Sequence, residues 1–174
     1  YRMAPPISVP KLATPLLDRP LVLQDFRADG VHGERPILYA NDPDSLKISQ
    51  YHYQLWNDPP PVMVQRRLLD MLAEAGVSAH VTDRLATRIP IYRLQGTIYR
   101  FERVLVDGQA TEAVVAMRLR IDADGMDLPL LERDELVRVP VKGNSVEEAA
   151  IALSAGIDQI GQRLITALQS RVKG

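Results

Sequence analysis

Histidines and clustered aspartates are the side chains of this chain with the most familiar catalytic and metal-binding chemistry. The three histidines, His32, His52 and His80, are far apart, and no two have a metal-ligand spacing such as His-x-x-x-His. His80 lies in an apolar stretch over 77–83, which predicts a short strand and a structural histidine. The histidines therefore predict no metal site.

The acidic cluster predicts a turn. Asp122, Asp124 and Asp127 follow an Asp-x-Asp-Gly pattern like a calcium loop, but no glutamate stands at the twelfth place counted from Asp122. The run "ERDE" over 132–135 predicts a solvated loop. There is no cysteine, no Gly-x-Ser-x-Gly elbow and no phosphate-binding glycine loop. The sequence thus predicts no catalytic residue, no metal and no cofactor.

The aromatic residues allow two interpretations, core filling or a partner interface. Because tyrosine and tryptophan are enriched at protein interfaces, Tyr51, Tyr53 and Trp56 are the predicted partner-contacting residues. Trp56 also immediately precedes a proline-rich junction, which suggests that it fixes how the extended segment joins the next helix. Base stacking would require a basic groove beside the aromatics, and the net charge of −1 argues against a nucleic-acid partner.

Short strands and one helix are predicted for the first half of the chain. The strands cover 21–27, 37–40 and an extended segment over 46–56, and the helix runs from Pro61 to Ala75. Asp58 is a candidate helix N-cap, and Gly76 is placed to end the helix.

The second half predicts a strand-rich region followed by a long helix. Asp107-Gly108 is a tight-turn signal that joins strands over 91–106 and 111–122, and Pro140 places a strand over 135–142 at a sheet edge. Ser145 and Glu148 form a capping box that opens an amphipathic helix. This helix either docks on the sheet or forms a coiled coil. The order of elements predicts an α/β or α+β sandwich with a mixed sheet.

Domain organisation is predicted to be simple. The 46% hydrophobic content over 174 residues suits one domain, and no apolar run is long enough to cross a membrane. Five prolines in residues 1–20 predict either an extended tether or a disordered terminus, and 21–174 is the predicted α/β domain.

The order of several motifs resembles the ABC-type transport auxiliary lipoprotein family, partners of MCE transport systems in Gram-negative envelopes. The resemblance rests on "YRMAPP", "LVLQDFRA", "ILYA" with "NDPDSL", the Tyr51 to Trp56 segment before Pro59 and Pro60, and the final "SVEEAAIALSAGIDQIGQRLITAL" helix. It covers nearly the whole chain.

This resemblance implies a fold and a role. The fold would be a three-layer α/β/α sandwich similar to the N-terminal domain of the Tol-system β-propeller protein. The protein would be a non-enzymatic, periplasmic lipoprotein, anchored to the outer membrane by a lipid upstream of Tyr1, with residues 1–20 as its tether. Its partner would be an MCE-domain protein, and the cargo lipids or other apolar compounds.

Alternatives to this role remain open. The domain could carry a lipid between sheet and helix, which needs an apolar cavity of several hundred Å³. It could be a small envelope hydrolase, which needs a nucleophile and a base in contact. Homo-oligomerisation through an edge strand and exposed aromatics is also an expectation.

Overall fold

The computed structural model describes residues 1–84 and 88–173. Strands and helices follow in the predicted order of strands, helix, strands, helix. A 3-10 helix covers Gly30–Gly33. The strands are β1 (Leu21–Leu23), β2 (Arg27–Ala28), β3 (Pro36–Ala40), β4 (Ile48–Leu55), β5 (Val81–Thr82), β6 (Tyr92–Val106), β7 (Gln109–Ala123) and β8 (Leu131–Pro140), and the helices are α1 (Pro60–Ala75) and α2 (Val146–Lys173).

A long hairpin of β6 and β7 is the centre of one mixed sheet. β7 pairs antiparallel with β6 on one side and with β8 on the other. The free side of β6 pairs in succession with β1, β2 and β3, all parallel to it. β5 adds to β1 and β4 adds to β3, so that β4 and β8 are edge strands. The mixed sheet predicted from the sequence is therefore confirmed.

The hairpin turn has the geometry that its sequence predicts. Asp107 and Gly108 both have positive φ, 51° and 77°. A two-residue turn with both central residues in this region matches the right-handed twist of the flanking strands.

Of the predicted helix caps, those after α1 and before α2 are confirmed, and the one before α1 is wrong. α1 is followed by Gly76 with φ 68°, as predicted. Asp58 does not cap α1, because Pro59 occupies the N-cap position and the first turn is proline-rich; Asp58 instead lies 3.5 Å from Arg66. The capping box of α2 is confirmed, since the backbone N–H of Glu148 donates to Ser145 Oγ at 3.1 Å.

Both helices pack on the same face of the sheet. One continuous apolar core includes Val64 and Leu72 from α1, Ile157 and Leu164 from α2, and the alternate side chains of the central hairpin. The arrangement described is a sheet with a helical layer on one face, and the predicted three-layer sandwich is not confirmed. The comparison with the Tol-system domain is not confirmed either.

The opposite face of the sheet is charged. Side chains that alternate with the core residues of β6, β7 and β8 form cross-strand ion pairs. Arg118 of β7 contacts Asp134 of β8 at 2.8 Å, and Arg120 of β7 contacts Glu132 of β8 at 3.7 Å. Cross-strand pairs of opposite charge stabilise a sheet face that has no helix over it.

Residues 1–20 lie against the helices and the sheet in this structure. Val9 and Leu17 are buried in the main core, and the backbone N–H of Leu12 donates to the carbonyl of Ala75 at 2.9 Å. The tether boundary at residue 20 stays a prediction, but the segment shares its apolar side chains with the domain.

Three local predictions are wrong. The "ERDE" run belongs to β8 and is not a loop: Asp134 pairs with Arg118 of β7, and Arg133 pairs with Glu135 within the strand. The strand predicted over 21–27 is interrupted between β1 and β2. His80 lies outside β5 and is exposed, so the predicted structural histidine is not found there.

Candidate functional surface

The three residues predicted to contact a partner lie on or directly after the edge strand β4. Tyr51 and Tyr53 are on the strand, and Trp56 follows its last residue. Its pairing with β3 is irregular, because the register shifts between Pro36 and Leu38. Gln50 lies opposite Leu38 while Leu55 lies opposite Pro36, so β4 bulges away from its neighbour. Bulged edge strands change the direction of their side chains, and the three aromatic residues accordingly have three different environments.

Trp56 lies in the core directly after β4. Only 1% of its surface is exposed, and its ring centroid is 5.6 Å from that of Phe101. Its backbone N–H donates to the carbonyl of Arg35, and Nε of Arg35 donates back to the carbonyl of Trp56 at 2.9 Å. Trp56 is therefore positioned to fix the junction between β4 and α1, and it is not available for direct contact with a partner.

Tyr51 is half-buried between an aromatic ring and a guanidinium. Its ring centroid lies 4.6 Å from that of Tyr39, and the guanidinium of Arg103 lies 5.2 Å from the Tyr51 centroid. Burial raises the pKa of Tyr51, and the charge of Arg103 opposes that rise. Arg103 is buried and its Nε has no hydrogen-bond partner among the described residues, so this contact with Tyr51 is one of the few that it makes.

Tyr53 is the exposed member of the three, with 93% of its surface accessible. Two aliphatic side chains near it along the chain are also accessible, Leu46 in the loop before β4 and Leu55 at the end of the strand. We call Leu46, Tyr53 and Leu55 the β4 surface. An exposed tyrosine on an edge strand, with further accessible apolar side chains along the same segment, is typical of a site that another molecule covers.

A buried carboxylate lies under the charged face of the sheet near β4. Glu102 is fully buried and accepts hydrogen bonds from Arg100 Nε at 2.6 Å and from the backbone N–H of Phe101 at 2.9 Å. His32 Nδ1 is 3.8 Å from Glu102. Burial lowers the pKa of His32, and the charge of Glu102 opposes this decrease. No local pattern in the sequence indicated this cluster, since its members come from two distant segments.

A second buried ion pair joins the two helices. Arg67 of α1 makes a two-pronged contact with Asp158 of α2, at 2.6 and 2.8 Å, and both side chains are about 5% exposed. A nitrogen of the same guanidinium donates to the carbonyl of Ala4 at 2.6 Å, and the N–H of Ala4 donates to Ser154 Oγ at 3.0 Å. The pair thus holds the N-terminal segment in the groove between the helices.

A groove of about 750 Å³ runs between β8 and the C-terminal half of α2. Its wall includes three arginines, Arg133 from β8 and Arg163 and Arg171 from α2. Glutamines, Thr166, Ala167 and Ser170 form the remainder of the α2 side. No signal in the sequence joined these residues of α2 with β8.

The aspartates of the predicted turn are occupied by arginines. Asp122 pairs with Arg120, and Asp124 pairs with Arg93 and accepts the N–H of Ile91. Hydrogen bonding to Arg93 lowers the pKa of Asp124. Across residues 1–84 and 88–173, no three histidine or acidic side chains are grouped as a metal site would require. No helix in this part of the chain is long and apolar enough to span a membrane.

The chain matches one known protein family over most of its length. The family model described as "ABC-type transport auxiliary lipoprotein component" matches residues 13–164. This match confirms the resemblance that the order of motifs indicated. No curated protein matches the sequence significantly.

Two solved structures share the fold. A Xanthomonas campestris protein of the DUF330 family has a TM-score of 0.81 at 16% identity, over 99% of this chain and 95% of that one. An uncharacterised protein has a TM-score of 0.72 at 12% identity, over 91% of this chain and 95% of that one. At these identities the likeness concerns the fold alone.

Proposed function

The chain belongs to the family of ABC-type transport auxiliary lipoprotein components, and from this premise we propose that it acts by protein–protein interaction in an envelope transport system. The partner is an MCE-domain protein, and the cargo consists of lipids or other apolar compounds. The protein works in the periplasm, held at the outer membrane by a lipid on its N-terminal side. Its role is non-enzymatic.

The single observation that carries this proposal is the β4 surface. Tyr53 is 93% exposed on an edge strand, with the accessible Leu55 two residues further along that strand and the accessible Leu46 in the loop before it. Exposed apolar side chains lower the solubility of a protein. A partner that covers them removes apolar surface from water, which makes the binding free energy more favourable. Tyrosine adds a hydroxyl that can bond the partner's backbone.

The lipid-carrier alternative has less support, because sheet and helix are closely packed. A Cβ atom added at Gly156 would meet Val115 at 2.9 Å, and one added at Gly161 would meet Met71 at 2.8 Å. The absence of side chains at both positions lets α2 approach its neighbours closely. The volume that a lipid chain needs between the layers is taken by these contacts.

Co-purification tests the proposal. The chain and the MCE-domain protein encoded beside it are expressed together, and one of them is captured through an affinity tag. We expect the other to co-elute in a fixed stoichiometry. An MCE-domain protein that is expressed at normal levels and never co-elutes would contradict the proposal.

A further inference from the structure

The outer edge of β8 pairs with no other strand among the described residues, and it lies beside the arginine-lined groove. The backbone N–H of Val141 donates to the carbonyl of Thr111, which directs odd-numbered residues of this strand toward β7. The register between β7 and β8 has no shift over Leu131–Pro140, so the alternation holds along the whole strand. In an antiparallel ladder the even-numbered residues then direct N–H and C=O outward.

Two further observations agree with this direction. The carbonyl of Leu136 accepts a hydrogen bond from Arg163 of α2 at 3.3 Å, so it points to the helix and not to β7. Pro140 is also even-numbered, and its missing N–H falls at the outer edge where no ladder bond is lost. The outward N–H groups therefore belong to Glu132, Asp134, Leu136 and Arg138.

The arginines of α2 reach across the groove to this edge. Arg163 binds the carbonyl of Leu136, and Nε of Arg171 donates to the carbonyl of Leu130 at 3.1 Å. The two carbonyls are six residues apart, which is about 20 Å of strand. An extended peptide of about six residues fits this length.

The groove carries an excess of positive charge. Arg133 and Arg163 share one carboxylate, Glu135, at 2.7 and 3.2 Å, and Arg171 binds a neutral carbonyl. None of the described side chains that line the groove is acidic. The three guanidinium groups thus face a single carboxylate, which leaves a net excess of two positive charges.

We propose that an extended, acidic peptide segment of a partner protein adds to β8 as a further strand and places its carboxylates against Arg133, Arg163 and Arg171. The added backbone pairs with the outward groups of β8, and the arginines exchange edge carbonyls for carboxylates, which form stronger, charge-assisted hydrogen bonds. This proposal deepens the proposed function, on which it rests, by assigning a second contact site for the partner.

The test uses the full chain, labelled with ¹⁵N, and an eight-residue peptide in which threonine alternates with glutamate. We expect the amides of Glu132, Asp134, Leu136 and Arg138 to gain about tenfold protection from hydrogen exchange when the peptide binds. A peptide with lysine in place of glutamate should give no protection.

Three variants locate the site. Leu136→Pro removes an outward N–H without removing a ladder bond, and it should abolish protection. Arg171→Gln should weaken binding about fivefold, a change typical of one exposed charge pair. Arg66→Gln is the matched control, because this exposed arginine lies on α1, pairs with Asp58 and does not line the groove, and it should leave the affinity unchanged.

Four results would overturn the proposal. They are no binding of the acidic peptide, equal binding of both peptides, arginine side-chain shifts without amide protection, and amide protection that rises with protein concentration when no peptide is present. The last would assign the edge to a second copy of the chain. Because the assay needs no MCE-domain protein, its failure is distinguishable from a failure of the co-purification experiment.

Discussion

The two faces of the sheet differ in what holds them together. The core under the helices is packed with apolar side chains and contains the buried Arg67–Asp158 pair, whereas the open face over β7 and β8 carries exposed arginine–carboxylate pairs. Removing a buried polar group destabilises the fold more than removing an exposed one, because its remaining partner cannot form a hydrogen bond with water. Stability is therefore concentrated under the helices, and the strand edges remain free for binding.

The largest effect is expected on the covered face, at Trp56. Trp56→Ala should lower the free energy of unfolding by about 3–5 kcal/mol, because it leaves a cavity beside Phe101 at the junction of β4 and α1. Urea unfolding followed by circular dichroism measures this change. Tyr53→Ala, three residues earlier and 93% exposed, is the control and should change stability by less than about 0.5 kcal/mol. Equal effects of the two substitutions would remove the contrast between core and edge.

The buried ion pair gives the next effect. Asp158→Ala leaves the guanidinium of Arg67 buried without its carboxylate, and we expect a loss of about 3 kcal/mol in the free energy of unfolding. The same variant should expose residues 1–6 to proteolysis, since Arg67 also holds the carbonyl of Ala4.

A double variant separates the charge from the packing at this position. Arg67→Met combined with Asp158→Leu removes both charges and should recover most of the loss in unfolding free energy. A double variant as unstable as Asp158→Ala alone would mean that the charges themselves, and not the unpaired arginine, determine the stability of this site.

A smaller effect concerns His32 and depends on pH. Burial lowers the pKa of His32 in the folded chain below its ordinary value of 6.5. His32 therefore binds a proton more tightly in the unfolded chain than in the folded chain. The stability that comes from neutral His32 is complete above that value and is lost as the pH falls through it toward the folded pKa.

We therefore expect His32→Gln to show a shallower decline of stability than the parent chain when the pH falls from about 7 to about 5. Urea midpoints measured across this range give the two slopes. His52→Gln is the matched control, because His52 is exposed on β4, and its slope should equal that of the parent. A parent slope shared by His32→Gln would show that groups other than His32 cause the pH dependence.

The smallest effect is expected on the open face. Arg118 and Asp134 are solvent-accessible, and their pairing lowers the pKa of Asp134 through the hydrogen bond from Arg118. Arg118→Gln should leave the urea midpoint unchanged within error in high salt, where exposed charges are screened. A loss comparable with that of Asp158→Ala would mean that the ladder is as important as the buried pair.

Local signals in the sequence predicted much of the fold. The Asp107-Gly108 turn, the capping box at Ser145 and the glycine after α1 depend on a few adjacent residues, and all three were confirmed. The number of layers was not predictable in this way. An amphipathic helix shows that it has a buried face but does not show which face of a sheet it covers.

The candidate sites were less predictable, because they join distant segments. Arg67 and Asp158 are 91 residues apart, and each alone resembles an exposed charge on a helix. Trp56 and Tyr53 have similar chemistry, and the alternation of an extended chain separates them without showing which of the two lies in the core. Burial of this kind is set by tertiary structure, which residue types and spacing do not encode locally.

The most direct test of the account measures binding of the purified chain to the proposed MCE-domain partner by isothermal titration calorimetry. Tyr53→Ala should weaken the affinity at least tenfold, as expected for a central interface tyrosine, while the urea midpoint stays that of the parent. Leu128→Ala is the matched control, since Leu128 is 75% exposed in the connection between β7 and β8, and its affinity should equal that of the parent. Parent-like affinity in Tyr53→Ala would contradict the assignment of the β4 surface as the contact site.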